Sequence, residues 1–541
     1  MPDAAIDSPR PSLVAADGSP WRLPTWAILI APVLAAILVI IATRHDPLLS
    51  PDSITYLSVA DHIRAGHGLT DFTDKPLAVF GPVYPLLLSP GGRSLIWATI
   101  VGVASIAIGS ALMGRLLHHR VRPVVALAGA LAFGASQGFV RMASVVWSEA
   151  PYAAISLATL VVLSRRSITT RVAAIGGVLA GIGFLTRYAG IGLVATGVVM
   201  IAASAWRADD RAMLIRRVGA FVGGAIAISS LWVIRNLVQT GQPLGPRFEG
   251  GTTEPLSRTL RLALIGTGHI VVGDGWSETA KARIGTAVLV GIALLVGLAV
   301  RSRKATVLDV GIAAFALTSF VVPIIARRAT ANDIELRVMS PMLIPVIYLA
   351  CVTFDRMCTL RSLVFAGTAL LGWWMYQGVA FAARFPDLAP GGAGYKAQFA
   401  PQLYDVIDAL PDDARILTNN PQRVWWFTDR EPTSMGFTRP RPGNSHYPLD
   451  AHDTVQEACS GHAYLAWFDS LQNAGASPDE RRPDLAALVD LQLVDSVPGG
   501  ALYVLAPLDT TTCGPTIADS STPAPNTSGP NTTAPDISEE R

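Results

Sequence analysis

The sequence contains few charged residues for its length. Of its 541 residues only 15% are Asp, Glu, Lys or Arg, whereas 51% are hydrophobic, and the mean hydropathy is +0.42. Soluble domains carry about 25% charged residues, so the composition argues against an ordinary soluble protein and indicates a chain folded in lipid. The net charge is +2 and there is no lysine-rich tract, so no nucleic-acid partner is expected.

Eleven charge-poor runs are candidates for membrane helices. The first, "LPTWAILIAPVLAAILVIIAT", reaches the roughly 20 apolar residues that cross a bilayer core. A secretory signal is the alternative, but no small-residue cleavage site follows it and many similar runs come later, which favours a retained span. The two runs on either side of Arg187 are short and could form one bent hairpin. The runs cover residues 24–43, 94–114, 123–140, 148–164, 172–186, 188–206, 218–235, 284–300, 307–326, 338–354 and 362–383.

The basic linkers between these runs predict the orientation of the bundle. Lys and Arg collect in short cytoplasmic loops, and the linkers "RLLHHRVR", "RRSITTR", "WRADDRAMLIRR", "RSRK" and "DRMCTLR" alternate so that all can face one side. The segment "RRATANDIELR" is the exception, with three arginines on the outer side. The consistent arrangement has a cytoplasmic N-terminus, an outer loop at residues 44–93 and an extracytoplasmic C-terminal part.

Sequence patterns after the last run predict a second, smaller domain. An amphipathic stretch "FAPQLYDVIDALP" and strand-like segments "RILTNN" and "AYLAWF" precede a hairpin-like "QLVDSVPGGALYVLAP", a mixture typical of an α/β domain. The fold class is therefore a polytopic α-helical plasma-membrane protein, with about eleven transmembrane helices and a small extracytoplasmic α/β domain. The predicted parts are a cytoplasmic tail at 1–23, the bundle at 24–384, the α/β domain at 385–508 and a disordered Ser/Thr/Pro-rich tail at 509–541.

The four cysteines fall into two pairs. Cys351 and Cys358 lie in or beside a predicted membrane helix on the cytoplasmic side. Cys459 and Cys513 lie on the predicted outer side, where disulfides persist. A bridge between these two would fasten the tail to the outer domain, and two unpaired thiols are the alternative.

The first outer loop opens with a polar helix, "SPDSITYLSVADHIRAGHGL". Ser50, Asp52 or Ser53 could be its N-cap, and apolar residues follow at helical spacing. Such a helix can lie along the membrane interface, and Asp52 would then be only a cap. The alternative is a catalytic base, since a carboxylate at the edge of a membrane cavity is costly and usually functional. The spacing alone leaves both possibilities open.

Further charged residues are expected at the same membrane face. Glu149 in "WSEAPY", Arg187 in "FLTRYAG", Arg235 in "WVIRNLVQTG", and Glu335 and Arg337 in "NDIELRVMSP" all lie at the outer ends of predicted spans. Arginines at span ends often only extend to the interface. Several on the non-cytoplasmic side run against the usual charge bias, however, and guanidinium binds phosphate or pyrophosphate with forked geometry. These residues therefore predict a phosphate-binding chamber.

Taken in the order in which they occur along the chain, these motifs resemble the multi-spanning glycosyltransferases of the GT-C class that use polyprenyl-phosphate sugars. The nearest branch contains the bacterial protein O-mannosyltransferase-like and aminoarabinose-transferase-like enzymes. The resemblance runs through residues 24–384 and depends on the order, spacing and sidedness of the motifs. They are "PDSITYLSVADHIRAGHGL", "FGPVYPLLLSP", "WSEAPY", "FLTRYAG", "WVIRNLVQTGQPLG" and "LRVMSPMLIPV", with "PDDARILTNNPQRVWWFTDREP" in the outer domain.

The resemblance implies roles for the charged residues. Asp52 matches the catalytic carboxylate at the head of the first outer loop, but Ser53 occupies a position where the family often has Glu. Glu149 is therefore the candidate for the second acid. Arg187, Arg235 and Arg337 match basic positions that face the carrier phosphate. The implied reaction is an inverting transfer in which Asp52 is the general base.

The sequence gives weaker indications of site roles for tyrosines and histidines and of a bound metal. Tyr56 and Tyr84 could line a sugar pocket, although interfacial tyrosines usually anchor a helix. His62 could bond the carboxylate or an acceptor, although a solvated interfacial histidine is the simpler interpretation. No Asp-x-Asp pair is present at 44–93, so a required divalent metal is possible but not favoured and no cofactor is expected. The segment "GDGWSET" is Gly-rich, but it lacks the Lys of a phosphate loop and is interpreted as a turn.

The sequence therefore predicts an integral membrane glycosyltransferase acting on the extracytoplasmic side. Its partners would be membrane lipids, a polyprenyl-phosphate-sugar donor and a protein, cell-wall glycan or lipid acceptor. A transporter or lipid-linked-sugar flippase is the first alternative, although transporters usually place polar residues near the bilayer midplane. A non-catalytic envelope scaffold is the second, and it predicts that Asp52→Asn is harmless.

Overall fold

The fold is taken from a computed structural model, and every structural statement below concerns the residues that it describes. The predicted N-terminal tail, Glu335, Cys358 and nearly all of the predicted C-terminal tail lie outside the described residues. The described residues are 27, 29–73, 75–118, 120–165, 167–206, 211–245, 254–301, 305–330, 334, 336–357, 361–388, 400–434, 451–469, 483–509 and 513.

Sixteen described helices form the first part of the chain, and each predicted charge-poor run coincides with a helix or a broken helix pair. A 3₁₀ turn at Tyr188–Gly190 precedes α9, and another at Ser340–Met342 joins α14 to α15. The helices are α1 Ile30–Ala42, α2 Pro51–Ala65, α3 Val83–Leu88, α4 Leu95–His118, α5 Pro123–Gly134, α6 Gln137–Ser144, α7 Glu149–Leu163, α8 Thr170–Thr186, α9 Ile191–Trp206, α10 Arg211–Thr240, α11 Leu256–Val272, α12 Glu278–Arg301, α13 Val307–Thr330, α14 Leu336–Met339, α15 Leu343–Met357 and α16 Arg361–Leu388.

Within the described chain, five helices are long and apolar enough to cross a bilayer, and α5 with α6, bent by 47°, makes a sixth candidate. Three shorter apolar helices are α1, α7 and α8. The protein is therefore a multi-pass membrane protein, whereas the number of eleven spans and the sidedness of the termini stay predictions. The five long spans are Leu95–His118, Tyr188–Ala205, Ala212–Thr240, Val307–Ala329 and Leu336–Met357.

Small residues allow close packing between membrane helices. Gly177 on α8 faces the backbone of Phe221 on α10, where an added Cβ would lie only 1.9 Å from the carbonyl oxygen. Membrane helices depend on such approaches, because lipid supplies no hydrophobic force that brings helices together. Any side chain at position 177 would force α8 and α10 apart.

The long segment between α10 and α12 contains a helix that the sequence patterns did not predict. Helix α11 runs antiparallel to α12, with Gly268 against the backbone of Lys281 and Gly285 against that of Leu264. The turn between them carries Asp274, as the Gly-rich segment predicted. This carboxylate lies 2.8 Å from Nε2 of His269 and 3.2 Å from the guanidinium of Arg141 on α6.

The last part of the chain contains a five-stranded mixed sheet. Its helices are α17 Pro401–Asp408, α18 Pro421–Thr428, α19 Ala451–Cys459 and α20 Pro483–Ala486, and its strands are β1 Arg415–Thr418, β2 Pro432–Ser434, β3 Ala463–Phe468, β4 Val489–Val497 and β5 Gly500–Pro507. The strand order is β2-β1-β3-β5-β4, in which β1 is parallel to β2 and β3, and β5 is antiparallel to β3 and β4. These elements lie where the sequence patterns placed an amphipathic helix, two strands and a hairpin.

A disulfide joins Cys459, the last residue of α19, to Cys513. Of the two alternatives that the sequence left open, the structure therefore has the bridge. It fastens the chain after β5 back onto the sheet domain, across a separation of 54 residues.

Candidate functional site

The polar helix α2 presents Asp52 in its first turn. Ser50 is the N-cap, because its side chain accepts a hydrogen bond from the Ser53 amide while the Ser53 hydroxyl accepts one from the Ser50 amide. The helix ends at Gly66, whose φ of 85° is readily adopted only by glycine. Because Ser50 and Ser53 complete the cap, the interpretation of Asp52 as the N-cap is wrong.

Asp52 forms an ion pair with an arginine from the far end of the chain. The Arg337 guanidinium on α14 donates to Oδ2 of Asp52 at 2.5 Å. The side chains are 30% and 28% exposed, respectively. The Trp147 ring lies 5.2 Å from the guanidinium carbon, and its indole N–H donates to the Ser50 hydroxyl at 2.8 Å. Trp147 therefore connects Arg337 to the cap of the helix that carries Asp52.

Glu149 and Arg187 form a second, more deeply buried pair. Glu149 begins α7 and its side chain is 2% exposed, whereas Arg187 caps the C-terminus of α8 and is 20% exposed. The Arg187 guanidinium also contacts the Ser148 hydroxyl at 3.5 Å, and that hydroxyl lies 3.5 Å from the Tyr56 hydroxyl. Arg187 thus neutralises a carboxylate that has almost no access to solvent.

Tyr56 lies between the two ion pairs and is buried rather than interfacial. Its ring meets that of Tyr84 edge-on at 5.0 Å, and both side chains are nearly inaccessible. Burial raises the pKa of Tyr56 far above its ordinary value, and the negative charges of Asp52 and Glu149 raise it further. Tyr56 therefore stays protonated. We call Asp52, Arg337, Glu149, Arg187 and Tyr56 the paired-charge site.

Two predicted site residues lie away from the paired-charge site. The Arg235 guanidinium donates to the carbonyl of Leu77 at 2.6 Å and to that of Leu69 at 3.2 Å, and it stacks on Trp232. It therefore holds the first outer loop against α10, and the structure does not bring it to the pairs that contain Arg187 and Arg337.

His62 is also distant from Asp52. The two residues are ten positions apart on α2, about 15 Å along a helix. Nδ1 of His62 lies 2.9 Å from the Thr70 hydroxyl. His62 therefore contacts the middle of the first outer loop, and of the possibilities that the sequence left open, a bond to the Asp52 carboxylate is not the one seen.

The sequence patterns also missed several residues that organise the site. Trp147 and Ser148 directly precede Glu149, so their place in the same motif was the available signal. Tyr188 follows Arg187, and its hydroxyl donates to the carbonyl of Ala78 at 2.8 Å while it accepts from the Trp232 indole at 2.9 Å. Tyr188 joins Arg235 in fixing the outer loop.

The sheet domain packs directly on the helix that carries Asp52. Trp425 on α18 belongs to one buried cluster with Ile54 and Leu57 of α2, and its ring stacks on Phe72 with centroids 5.5 Å apart. The sheet domain therefore contributes to the surroundings of the loop at residues 44–93.

The described residues contain no group of three His, Cys, Asp or Glu side chains arranged to hold a metal ion. Each carboxylate of the paired-charge site is matched by one arginine. The expectation that no metal is required stays a prediction.

Comparison with solved structures identifies the fold. The chain is similar to ArnT from Cupriavidus metallidurans bound to undecaprenyl phosphate, with a TM-score of 0.59 and 14% identity over 89% of this chain and 98% of that one. The chain has the GT-C fold. The resemblance inferred from the sequence motifs is thus confirmed at the level of the fold.

Similar values relate the chain to archaeal oligosaccharyltransferase structures. That of the Archaeoglobus fulgidus enzyme with Zn and sulfate gives a TM-score of 0.53 and 11% identity over 88% of this chain and 73% of that one. AglB of the same organism, in complex with an inhibitory peptide and a dolichol-phosphate, gives a TM-score of 0.51 and 12% identity over 83% of this chain and 70% of that one. No family model and no curated protein sequence matches the chain.

Proposed function

We propose that the protein is a membrane glycosyltransferase that moves a sugar from a polyprenyl-phosphate donor to an acceptor hydroxyl on the extracytoplasmic side. The observation that carries the proposal is the part-exposed pair of Asp52 with Arg337 on a GT-C fold. Such a pair places a potential base beside a potential phosphate ligand. The structures of ArnT with undecaprenyl phosphate and of AglB with a dolichol-phosphate support the donor class.

Exposure distinguishes the roles of the two carboxylates. Asp52 is 30% exposed, whereas Glu149 is 2% exposed and faces Arg187. An acceptor hydroxyl can therefore approach Asp52 but not Glu149. We assign Asp52 as the general base and Glu149 as a positioning residue that orients Arg187, which departs from the catalytic role expected for Glu149.

The reaction is a single displacement. Asp52 takes the proton of the acceptor hydroxyl as its oxygen attacks the anomeric carbon, and the bond from that carbon to the phosphate oxygen breaks with its electrons left on the phosphate. One attack inverts the anomeric centre. Positioned general bases typically contribute 10²–10⁴-fold to rate.

The arginines serve the leaving phosphate. Arg337 is exposed enough to contact a ligand while it stays stacked on Trp147. Guanidinium groups form charge-assisted, forked hydrogen bonds to phosphate oxygens. Arg337 would therefore stabilise the charge that develops as the sugar departs, which is the logic of oxyanion stabilisation.

The test is a transfer assay in membranes that contain the full chain. Radiolabelled polyprenyl-phosphate sugars are supplied to wild type, Asp52→Asn and Asp61→Asn, the last being a control on the same helix. We expect Asp52→Asn to lose about 10²–10⁴-fold in transfer rate at equal expression and Asp61→Asn to retain it. Equal transfer by Asp52→Asn and wild type would overturn the assignment. Reorientation of lipid-linked sugar with no transfer by wild type would instead favour the flippase alternative.

A further inference from the structure

The two ion pairs of the paired-charge site differ in accessibility. In the Glu149–Arg187 pair the carboxylate is almost fully buried, so a ligand could not reach it without opening the bundle. In the Asp52–Arg337 pair both side chains keep more than a quarter of their surface exposed. A ligand anion can therefore reach Arg337 from the open side while the Asp52 carboxylate still holds it.

One of the two carboxylate oxygens of Asp52 is held by Arg337. The guanidinium donates to Oδ2 of Asp52 at 2.5 Å. A lone pair that accepts this bond is not available to an acceptor hydroxyl. In the pair as it stands, Arg337 occupies one oxygen of the base, and the nitrogen that makes this bond is turned to Asp52 rather than to a phosphate.

We propose that the Asp52–Arg337 pair is a latch that the donor phosphate opens by taking Arg337 away from the carboxylate. The inference rests on the proposed function and adds an order to it, in which the donor is bound before the base is released. Without a donor the base stays paired, so an acceptor that arrives first meets a carboxylate that Arg337 still holds.

The charges of donor and product explain why the latch opens in this direction. A polyprenyl-phosphate sugar is a phosphodiester with one negative charge, comparable to a carboxylate. When the sugar leaves, the lipid monophosphate carries close to two charges and three strong acceptor oxygens, as phosphate monoesters do. Competition for Arg337 therefore shifts toward the phosphate while the anomeric bond breaks, at the stage when Asp52 must take the proton.

Trp147 provides the surface on which Arg337 can move. Its indole is held by the hydrogen bond to the Ser50 hydroxyl, and Ser50 in turn caps α2. A guanidinium stacked over an aromatic ring keeps that attraction when its in-plane N–H groups change partner. Arg337 can thus exchange a carboxylate for a phosphate without leaving the Trp147 ring.

The latch makes a binding prediction that is independent of transfer. Removal of the carboxylate should improve binding of the sugar-free carrier, because the carrier no longer competes with Asp52 for Arg337. With purified full-length protein in detergent, undecaprenyl phosphate is the probe, undecaprenol is the control without phosphate, and microscale thermophoresis is the measurement. We expect Asp52→Asn to bind undecaprenyl phosphate roughly threefold more tightly than wild type, or better. Arg337→Gln should bind it roughly tenfold more weakly.

A double-variant cycle separates the latch from simple charge repulsion. Asp52→Asn should tighten binding in the wild-type background and leave it unchanged in the Arg337→Gln background, because the competition is then absent. Asp61→Asn, which removes a charge from the same helix, should change nothing. Equal tightening in both backgrounds would mean repulsion alone and would overturn the latch, as would no tightening at all. Asp52→Ala repeats the test if Asp52→Asn lowers the melting temperature.

Failure of the latch and failure of the proposed function give different results. If Asp52→Asn abolishes transfer but does not tighten carrier binding, the glycosyltransferase assignment is supported and the latch is wrong. If wild type binds undecaprenyl phosphate no better than undecaprenol, the proposed donor class is wrong, and the latch, which requires the donor phosphate, is wrong as well.

Discussion

The guanidinium carbon of Arg93 lies 4.4 Å from the centroid of the Trp425 ring, and the same side chain forms an ion pair with Asp429. Arg93 also donates to the carbonyl of Trp426 at 3.3 Å. Arg93 lies just before α4 in the first outer loop, whereas its three partners lie on or directly after α18. One side chain therefore joins the loop that carries the base to the sheet domain.

Loss of this side chain should loosen the sheet domain from the loop. For Arg93→Ala we expect faster hydrogen–deuterium exchange in Pro421–Thr428, because the stacked cation, worth about 1–2 kcal/mol, is removed. The ion pair with Asp429 adds little to the stability of this contact, because the Asp429 side chain is 75% exposed. Arg93→Lys is the matched control, since it keeps the charge without the planar stack and should fall between wild type and Arg93→Ala. Identical exchange in all three proteins would contradict the interface described here.

The buried pair of Glu149 with Arg187 should be a strong determinant of stability. Replacement of Arg187 by Gln leaves a carboxylate that is 2% exposed without its cation, and such losses cost about 3–5 kcal/mol. We expect a clear fall in melting temperature for Arg187→Gln, measured by differential scanning fluorimetry in detergent. The double variant with Glu149→Gln should recover part of it, since the two sites are coupled. Glu278→Gln, in the exposed first turn of α12, is the control and should melt like wild type.

The positions of the membrane helices could be predicted from charge depletion, because each span must bury its backbone in lipid over a minimum length. The same criterion missed α11, which contains Arg258, Arg261 and His269 and is therefore not charge-poor. In the sheet domain, apolar runs predicted the strands β1 and β3. The position of β3 between β1 and β5 depends on pairing across the chain, which a local pattern does not record.

The site was predictable only as a list of residues. Asp52 and Arg337 were both expected at the outer face, but they are 285 positions apart and no sequence pattern matches a base with its arginine. Arg235 is the opposite case, a residue that the sequence placed in the site and the structure does not. Its position at the end of a span suited a phosphate ligand equally well, and only the carbonyl groups of Leu69 and Leu77 distinguish the two roles.

The polar contacts of Tyr188 should restrain the first outer loop. Its hydroxyl bonds the carbonyl groups of Ala78 and Phe80 and accepts from Trp232. In Tyr188→Phe these carbonyls lose a donor, so we expect faster hydrogen–deuterium exchange in residues 69–81, and Arg235→Leu should act in the same direction. Ser167→Ala, in the α7–α8 linker, should leave the loop unchanged. Unaltered exchange in both loop variants would show that other contacts hold the loop.

Asp274 gives a prediction for pH dependence. The hydrogen bond from His269, followed by the positive charge of Arg141, lowers the pKa of Asp274 to about 2. A lowered carboxyl pKa means that its stabilising effect is present above the unfolded value of about 4 and is lost as the pH falls through about 2. Its side chain is 52% exposed, so after a discount for solvent screening we expect Asp274→Asn to cost about 1 kcal/mol at pH 7.

The titration of Asp274 predicts that Asp274→Asn is still destabilising at pH 5, as at pH 7, and that its cost shrinks below about pH 4. Melting temperatures of wild type and variant at pH 7, 5 and 3 provide the measurement. A difference that already disappears between pH 7 and pH 5 would show that the aspartate does not titrate in the lowered range.

The sidedness of the first outer loop decides whether Asp52 can act on extracytoplasmic substrates. Lys75, in that loop, and Ser167, in the α7–α8 linker, are both exposed and lie on opposite sides in the predicted topology. We expect Lys75→Cys to react with a membrane-impermeant maleimide on intact cells and Ser167→Cys to react only after permeabilisation. Both variants are made in a Cys358→Ser background, and that parent protein should label weakly because Cys351 is buried and Cys459 and Cys513 are bridged. The reverse pattern would place Asp52 on the cytosolic side, where the proposed transfer cannot occur.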